Sequence, residues 1–194
     1  PEATAGAWAS IGPEGTLGDL IGWIDGSEAS LHIHIYEFLS PDVTHAILRA
    51  IQRGVDVTIL LEEGILDSNS VGESQKGHAN VLHNAGANVL WMVDPTGMSS
   101  PYTYIHSKIA LRDDSGVWIS SGNMKDSSLP PDGDSGNREW SLFIESPVIA
   151  AKFSDWMSWD ENTDQRYTKP HGSWALPPDG WVLPSQSGTV SVDP

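Results

Sequence analysis

The sequence has no cysteine and no long apolar run, and each absence excludes a class of protein. With no cysteine among its 194 residues, the chain can form no disulfide, no thiolate zinc site and no cysteine nucleophile. No stretch approaches the roughly 20 apolar residues of a membrane-spanning helix, and the amino end lacks a basic-then-apolar signal pattern. The chain begins at Pro1 rather than at methionine, so the missing signal leaves its localisation open. We expect a soluble globular chain whose chemistry comes from histidine, lysine, serine and carboxylates.

Positive charge is also scarce. Ten Lys and Arg residues stand against 26 Asp and Glu residues, which gives a formal net charge of −16. This charge repels polyanions at long range and slows their association at modest salt, which disfavours a nucleic-acid partner. A surface adapted to high salt would have the same composition whatever the substrate, and both interpretations stay open at this point.

The amino-terminal half alternates between helical and strand patterns. Apolar residues recur at helical spacing in some segments and form short β-rich runs in others, and Ser40 followed by Pro41 is typical of a helix start. Strand, helix, strand units of this kind are normally parallel and right-handed. The predicted helices cover residues 15–25, 41–53 and 75–84, and the predicted strands cover residues 31–38, 55–61 and 88–93.

The pattern changes after residue 94. Two apolar runs, 104–111 and 117–121, flank a turn-forming segment and predict a β-hairpin. Residues 139–144 predict another strand, and Ser146 with Pro147 begins a further helix. We therefore predict an α/β fold with a mixed, mostly parallel β-sheet flanked by helices on both faces.

Proline and glycine punctuate the last part of the chain. We predict one globular domain over residues 1–160 and a Pro/Gly-rich tail or linker over residues 161–194. Trp174 and Trp181 are costly to leave in water, so we expect the tail to lie along the domain or to cover a neighbour.

The most informative segment runs from residue 106 to residue 123. It resembles H-x-K-x4-D-x6-G-S-x-N, the signature of the phospholipase D superfamily, and departs from it only at Ser120, where that family usually has glycine. Five fixed matches arise by chance about once in a million starting points. The resemblance implies a phospholipase D-like fold over about residues 16–159. The matching residues are His106, Lys108, Asp113, Ser121 and Asn123.

The chemistry of these residues suits attack on a phosphodiester. Residues two apart on a strand share a face, so His106 and Lys108 project into one pocket. The lysine neutralises non-bridging oxygens, and a histidine with an ordinary pKa of about 6.5 can act as a nucleophile near neutral pH. Ser121 and Asn123 end the second hairpin strand and can donate hydrogen bonds to the same phosphate.

Two carboxylates receive different predicted roles. The segment 137–140 is similar to the one that supplies the family's histidine-orienting carboxylate, which makes Glu139 the candidate for that role. Asp113 lies at the hairpin turn, away from the phosphate, and we interpret it as a structural residue that bonds turn amides.

No metal site or cofactor is predicted. His32 and His34 alternate along a probable inner strand and are interpreted as core or pocket-wall groups, and the remaining histidines lack zinc-ligand spacing. This agrees with the metal-independent chemistry that the resemblance implies. The nine tryptophans are interpreted as packing groups before membrane contacts.

The motif occurs once, which leaves the mechanism incomplete. One histidine cannot attack phosphorus and also protonate the leaving alkoxide, so a second histidine is required. In the resembling family two motifs meet, one histidine forms phosphohistidine and the other serves as acid and then base. We therefore expect a second phospholipase D-like half as partner, either an identical subunit or another part of a longer chain, with a slight preference for the latter.

The substrate class is less determined. The acidic balance favours a phospholipid or similar small phosphodiester, cleaved by a phosphodiester hydrolase or transferase. The single-motif format favours the alternative, a homodimeric nuclease acting on DNA or RNA. A non-catalytic scaffold module that retains the fold is the third possibility, against which the nearly complete signature argues.

Overall fold

The structure of the protein is a computed structural model, which describes residues 5–65, 69–93, 102–172 and 176–187. In these ranges eight strands form one sheet. The strands are β1 (Gly6–Ile11), β2 (Ser30–Ile35), β3 (Asp56–Glu62), β4 (Asn88–Met92), β5 (Lys108–Arg112), β6 (Gly116–Ser120), β7 (Trp140–Glu145) and β8 (Thr168–Pro170). The helices are α1 (Thr16–Asp25), α2 (Pro41–Gln52), α3 (Asn69–Ala85) and α4 (Pro147–Asp160).

The strand order is β1-β7-β6-β5-β2-β3-β4-β8. Only β2, β3 and β4 pair in parallel, and every other neighbouring pair is antiparallel. The predicted α/β class and mixed sheet are therefore confirmed, whereas the expectation of a mostly parallel sheet is wrong. The cause lies in the connections. Short turns can join only antiparallel strands, and the chain after β4 returns as the meander β5-β6-β7.

Strands β1 and β8 were not predicted, because their sequences give little signal. β1 carries glycine and two alanines, and its residues are mostly exposed. β8 has three residues and ends at Pro170, which is tolerated because the strand lies at the edge of the sheet.

The main core lies between the sheet and helices α1, α2 and α3. Leu31, Ile33 and Ile35 of β2 point into it and are fully buried, as their alternation along the strand requires. Helix α4 covers part of the opposite face, where Ala150 and Met157 pack against β5 and β6. Helices therefore flank both faces.

The predicted helix starts are confirmed at two serines. Ser40 Oγ accepts a hydrogen bond from Val43 N at 3.3 Å, and Ser146 Oγ accepts one from Ile149 N at 3.4 Å. Each serine is followed by proline at the first helical position, where no amide hydrogen is needed. No helix in the described ranges combines the length and apolar character that crossing a bilayer would require.

The chain beyond residue 160 packs on the sheet. Tyr167 lies in an apolar cluster under β3 and β4, and β8 pairs with β4. Farther on, Trp181 stacks edge-on against His78 of α3, and Ser187 donates to Asp42 of α2 at 2.6 Å. The segment 176–187 thus lies along the domain, as expected for Trp181, while Trp174 falls outside the described residues. The domain boundary at residue 160 stays a prediction.

A half-buried carboxylate joins the end of α4 to β2. Glu161 bonds to His32 Nδ1 and to His34 Nε2, each at 3.0 Å, on the sheet face opposite the main core. The hydrogen bond that His32 donates to Glu161, assisted by the charges of Glu161, Asp56 and Asp114, raises the pKa of His32. Burial alone would raise the pKa of Glu161, but the two histidines bring it below its usual value.

These shifts predict a pH window of stabilisation. The lowered pKa of Glu161 contributes stability above the ordinary value of 4.5, and this contribution is lost as pH falls through the folded pKa. The raised pKa of His32 contributes stability fully below the ordinary value of 6.5, and this contribution is lost as pH rises through the folded pKa. The attraction is therefore greatest between pH 4.5 and 6.5.

Replacing Glu161→Gln should lower the free energy of unfolding by roughly 2 kcal/mol within that window, because a charge-assisted hydrogen bond is lost. The loss should shrink above the folded pKa of His32, as measured by urea unfolding at several pH values. Asp155→Asn on the exposed side of α4 is the control and should change little. A loss independent of pH would contradict the assignment.

Candidate active site

All of the predicted site residues except Asp113 meet at one edge of the sheet. The carboxyl ends of β2, β3, β4 and β6 reach this edge together with the amino ends of β5 and β7, because the register pairs Ile35 with Lys108 and Ser120 with Ser141. Lys108 is the first residue of β5, and Ser121 follows directly after β6. Turns and strand ends thus bring residues that are far apart in sequence into one place.

His106 and Lys108 are in contact. Lys108 Nζ lies 3.2 Å from Nδ1 and 3.4 Å from Nε2 of the His106 ring, and it donates to the His106 carbonyl oxygen at 2.9 Å. The predicted proximity is therefore present, although His106 itself precedes the strand. Lys108 is 7% exposed, whereas His106 is open to solvent. The ammonium thus lies at the base of the site, beneath the imidazole.

The surroundings lower both pKa values. Burial, followed by the neighbouring Lys108 charge, lowers the pKa of His106 against an opposing influence from Glu37. Burial lowers the pKa of Lys108, while Glu37 and Glu139 act to raise it. A lowered pKa keeps the imidazole neutral near pH 7, which is the form with a lone pair available for attack.

Aromatic and acidic neighbours fix the position of His106. The Tyr36 ring packs against the imidazole with centroids 4.9 Å apart, and Tyr104 meets Tyr36 edge-on at 6.2 Å. Glu62, at the end of β3, accepts hydrogen bonds from the Ile105 amide at 2.9 Å and the Gly64 amide at 2.8 Å. The segment that carries the histidine is therefore anchored on both sides.

Glu139 bonds to Ser121 and not to His106. Ser121 Oγ donates to Glu139 Oε2 at 2.5 Å and accepts from the Trp140 amide at 3.0 Å. Ser128 and Asn137 lie 3.5 Å from the other carboxylate oxygen. Within the described residues Glu139 has no hydrogen bond to His106, so the structure does not bring this predicted pair together in one chain.

Asn123 bonds to a carboxylate that sequence reasoning missed. Asn123 Nδ2 donates to Glu37 Oε2 at 2.9 Å, and the Lys125 ammonium forms an ion pair with the same oxygen. Neither Glu37 nor Lys125 belongs to the signature, and Glu37 follows a strand of apolar character. The one available signal was an acidic residue placed directly after a buried strand.

Asp113 lies at the opposite edge of the sheet. Its carboxylate accepts hydrogen bonds from the amides of Glu28, Ala29 and Ser30, the shortest being 2.7 Å. Burial would raise its pKa, but these amides and Arg112 lower it below the usual value. The carboxylate thus ties the hairpin turn to the loop before β2, and not to amides of its own turn.

Ser120, the departure from the signature, is accommodated by hydrogen bonds. Its hydroxyl donates to the Trp140 carbonyl oxygen at 3.1 Å and accepts from the Gly122 amide at 3.1 Å. Gly122, in contrast, leaves no room for a side chain, since a Cβ atom there would lie 2.8 Å from Ser128 Cβ and 2.9 Å from Glu139 Cγ. Glycine at this position allows the close approach of the Glu139 side chain.

The other six of the seven histidines are engaged elsewhere. His32 and His34 bond to Glu161, His78 bonds to Thr44, His45 bonds to the Pro184 carbonyl oxygen, and His83 contacts His171. Across the described ranges, no group of three or more histidine and carboxylate side chains is placed to hold a metal ion.

Comparison with known proteins places this fold and site in a family. The family profile described as cardiolipin synthase, phospholipase D-like domain, matches residues 20–161. The chain therefore belongs to the phospholipase D superfamily, whose members are phosphodiesterases. A search among curated proteins finds no significant match.

Solved structures share the fold at low sequence identity. Nuc from Salmonella typhimurium, a phospholipase D family member, is 21% identical with a TM-score of 0.67, over 87% of this chain and 99% of that chain. NucT from Helicobacter pylori is 21% identical with a TM-score of 0.64, over 80% and 95% of the two chains. A phosphatidylserine synthase from Haemophilus influenzae is 14% identical with a TM-score of 0.59, over 86% of this chain and 40% of that chain.

The contact between Lys108 and His106 predicts a measurable pKa change. Replacing Lys108→Met removes a cation that disfavours the protonated imidazole, so the pKa of His106 should rise. Titration of the His106 ring by NMR measures this shift. Lys152→Met on the exposed side of α4 is the control and should leave His106 unchanged. An unchanged or lower pKa in Lys108→Met would mean that the ammonium does not act on the ring.

Proposed function

We propose that the chain is a metal-independent phosphodiesterase that acts through a covalent phosphohistidine at His106. The observation that carries the proposal is the Lys108 ammonium, 3.2 Å from the His106 imidazole, at the sheet edge where Ser121 and Asn123 also lie. An electrophile held on this lysine would meet the imidazole directly.

Each residue has a defined part in the reaction. A neutral His106 nitrogen attacks phosphorus, a nitrogen–phosphorus bond forms and the bond to the leaving oxygen breaks. Lys108 and Asn123 stabilise the charge on the non-bridging oxygens, and Ser121 supports the binding of the same phosphate. Water or an alcohol then displaces the histidine, which completes hydrolysis or transfer. Asp113 supports the hairpin from the far edge.

The leaving oxygen needs a proton that this chain does not supply at the site, because its other histidines make their contacts elsewhere. We propose that a second phospholipase D-like half provides the second histidine. Glu139, which bonds to Ser121 within its own chain, is then available to orient the histidine of that second half.

A second copy of the chain is the arrangement supported by two observations. The match to Nuc extends over 99% of that chain, whereas only 40% of the phosphatidylserine synthase chain is covered. Ile11 and Trp140 pair across β1 and β7 beside Ser121, and they are 50% and 48% exposed. Apolar side chains exposed beside the site suit a covered surface. The other half of a longer protein remains the alternative partner.

The preferred substrate is a phospholipid or similar small phosphodiester. The net charge of −16 opposes a polyanion, and two of the acidic residues, Glu37 and Glu139, lie near Lys108. Cleavage of DNA or RNA by a homodimer is the second candidate, favoured by the single-motif format. A non-catalytic scaffold role is disfavoured by the contact between His106 and Lys108.

Replacing His106→Ala should abolish turnover of bis-p-nitrophenyl phosphate in the presence of EDTA, because the nucleophile is lost. Turnover is followed by release of nitrophenolate. The matched control is His83→Ala on α3, which should retain wild-type turnover. Hydrolysis by His106→Ala at the wild-type rate would refute the assignment.

The subunit arrangement is tested by analytical ultracentrifugation of the same samples. An active wild-type chain should sediment as a dimer, and Trp140→Asp should shift it toward monomer with loss of turnover. A stable monomer without activity would exclude the homodimer and favour a longer protein. Parallel assays on phospholipid vesicles, single-stranded DNA and RNA at two salt concentrations identify the substrate class.

A further inference from the structure

A buried carboxylate, Glu37, lies directly behind the residues assigned to phosphate binding. The residue is 4% exposed and lies two residues beyond the end of β2. Resting on the proposed function, we propose that Glu37 is a positioning residue that holds Asn123 and Lys125 in the orientation that receives the substrate phosphate. Lys125 thereby becomes a second cation of the site beside Lys108.

One oxygen of Glu37 serves both partners. Glu37 Oε2 accepts from Asn123 Nδ2 at 2.9 Å and contacts the Lys125 ammonium. The two partners are separated by one residue in the chain after β6, so a single carboxylate controls the side chains on either side of Met124. Charge-assisted bonds of this kind are shorter and stronger than neutral ones.

The backbone of this loop is fixed independently of the carboxylate. Met124 N donates to the Glu37 carbonyl oxygen at 3.1 Å, and Met124 O accepts from the amides of Leu39 at 2.7 Å and Ser40 at 2.9 Å. Met124 is also fully buried against the main core. The loop would therefore keep its path without the carboxylate, whose own effect falls on the side chains of Asn123 and Lys125.

Glu37 also decides which way the Asn123 amide faces. Within the described residues the side-chain oxygen Oδ1 of Asn123 is buried without a hydrogen-bond partner, so only the bond from Nδ2 to Glu37 sets the orientation of the side-chain amide. Rotation of the amide by half a turn would place Oδ1 against the carboxylate, which is repulsive. An amide nitrogen has two hydrogens, and the one that Glu37 does not use is free for a phosphate oxygen.

The charge of Glu37 has a second effect on the site. Two lysines near one histidine disfavour each other's charged forms, and the effect of Lys125 on Lys108 is in that direction. Glu37 opposes this and acts to raise the pKa of both His106 and Lys108. The carboxylate thus favours the charged form of the Lys108 ammonium in a partly desolvated site. Burying a carboxylate is costly, and such groups cluster where function requires them.

The test replaces Glu37→Gln, which preserves shape and removes charge. With bis-p-nitrophenyl phosphate, kcat should fall about 10-fold to 100-fold because the phosphate donors are misaligned. KM should stay equal or fall, because one negative charge near an anionic substrate is gone. The acid limb of the kcat/KM profile should move to lower pH, because the influence that raises the pKa of His106 is removed. Glu73→Gln on the exposed side of α3 is the matched control.

A second variant should shift the acid limb of the kcat/KM profile in the opposite direction. Lys125→Met leaves the Glu37 charge without its partner, so the acid limb should move to higher pH while kcat falls. A Glu37→Gln enzyme with kcat within about twofold of wild type and an unmoved acid limb would overturn the proposal. Shifts of the same sign in both variants would overturn it as well. If Glu37→Gln does not fold, the direction of the Lys125→Met shift decides alone.

The histidine titration separates this proposal from the proposed function. NMR of His106 in wild type, Glu37→Gln and Lys125→Met needs no turnover, and the same two opposite shifts are expected. Absence of turnover in the wild type on every phosphodiester would refute the proposed function. Absence of the two pKa shifts would refute the role of Glu37, whether or not the wild type is active.

Discussion

Strand β2 is the element on which the rest of the architecture depends, because the sheet changes direction there. It pairs in parallel with β3 and antiparallel with β5. The register sets Ile35 opposite Lys108, so that Tyr36 and Glu37, which follow β2, lie beside the start of β5. A slip of one residue would turn Lys108 to the other face of the sheet. The position of Lys108 beside Glu37 therefore follows from one antiparallel pairing.

The positive charges of the site are balanced by nearby carboxylates. Although the chain carries a net charge of −16, two of its ten basic side chains converge near His106. Each lies within the electrostatic reach of a carboxylate, Glu37 or Glu139, which limits the mutual repulsion of Lys108 and Lys125. The site is therefore close to neutral before a substrate arrives.

Much of the fold was predictable, since periodic segments such as α1 and α2 and the caps at Ser40 and Ser146 carry local signals. The parallel share of the sheet was overestimated because the strand order beyond β4 depends on pairing partners, which local sequence does not specify. At the site, the spacing of His106 and Lys108 predicted their contact. The bonds of Glu37 to Asn123 and of Glu139 to Ser121 depend on tertiary geometry, which no spacing in the sequence encodes.

The bonds of Asp113 give the signature spacing a physical meaning. Lys108 begins β5 opposite Ile35. Asp113, just after the strand, accepts hydrogen bonds from three amides at the entry to β2. Both ends of β5 are thus fixed against the same neighbouring strand. The four residues between lysine and aspartate set a distance of about 17 Å between the edge that carries the candidate site and the far edge of the sheet. A residue inserted there could not be absorbed by a loop, so the interval is set by distance as well as by chemistry.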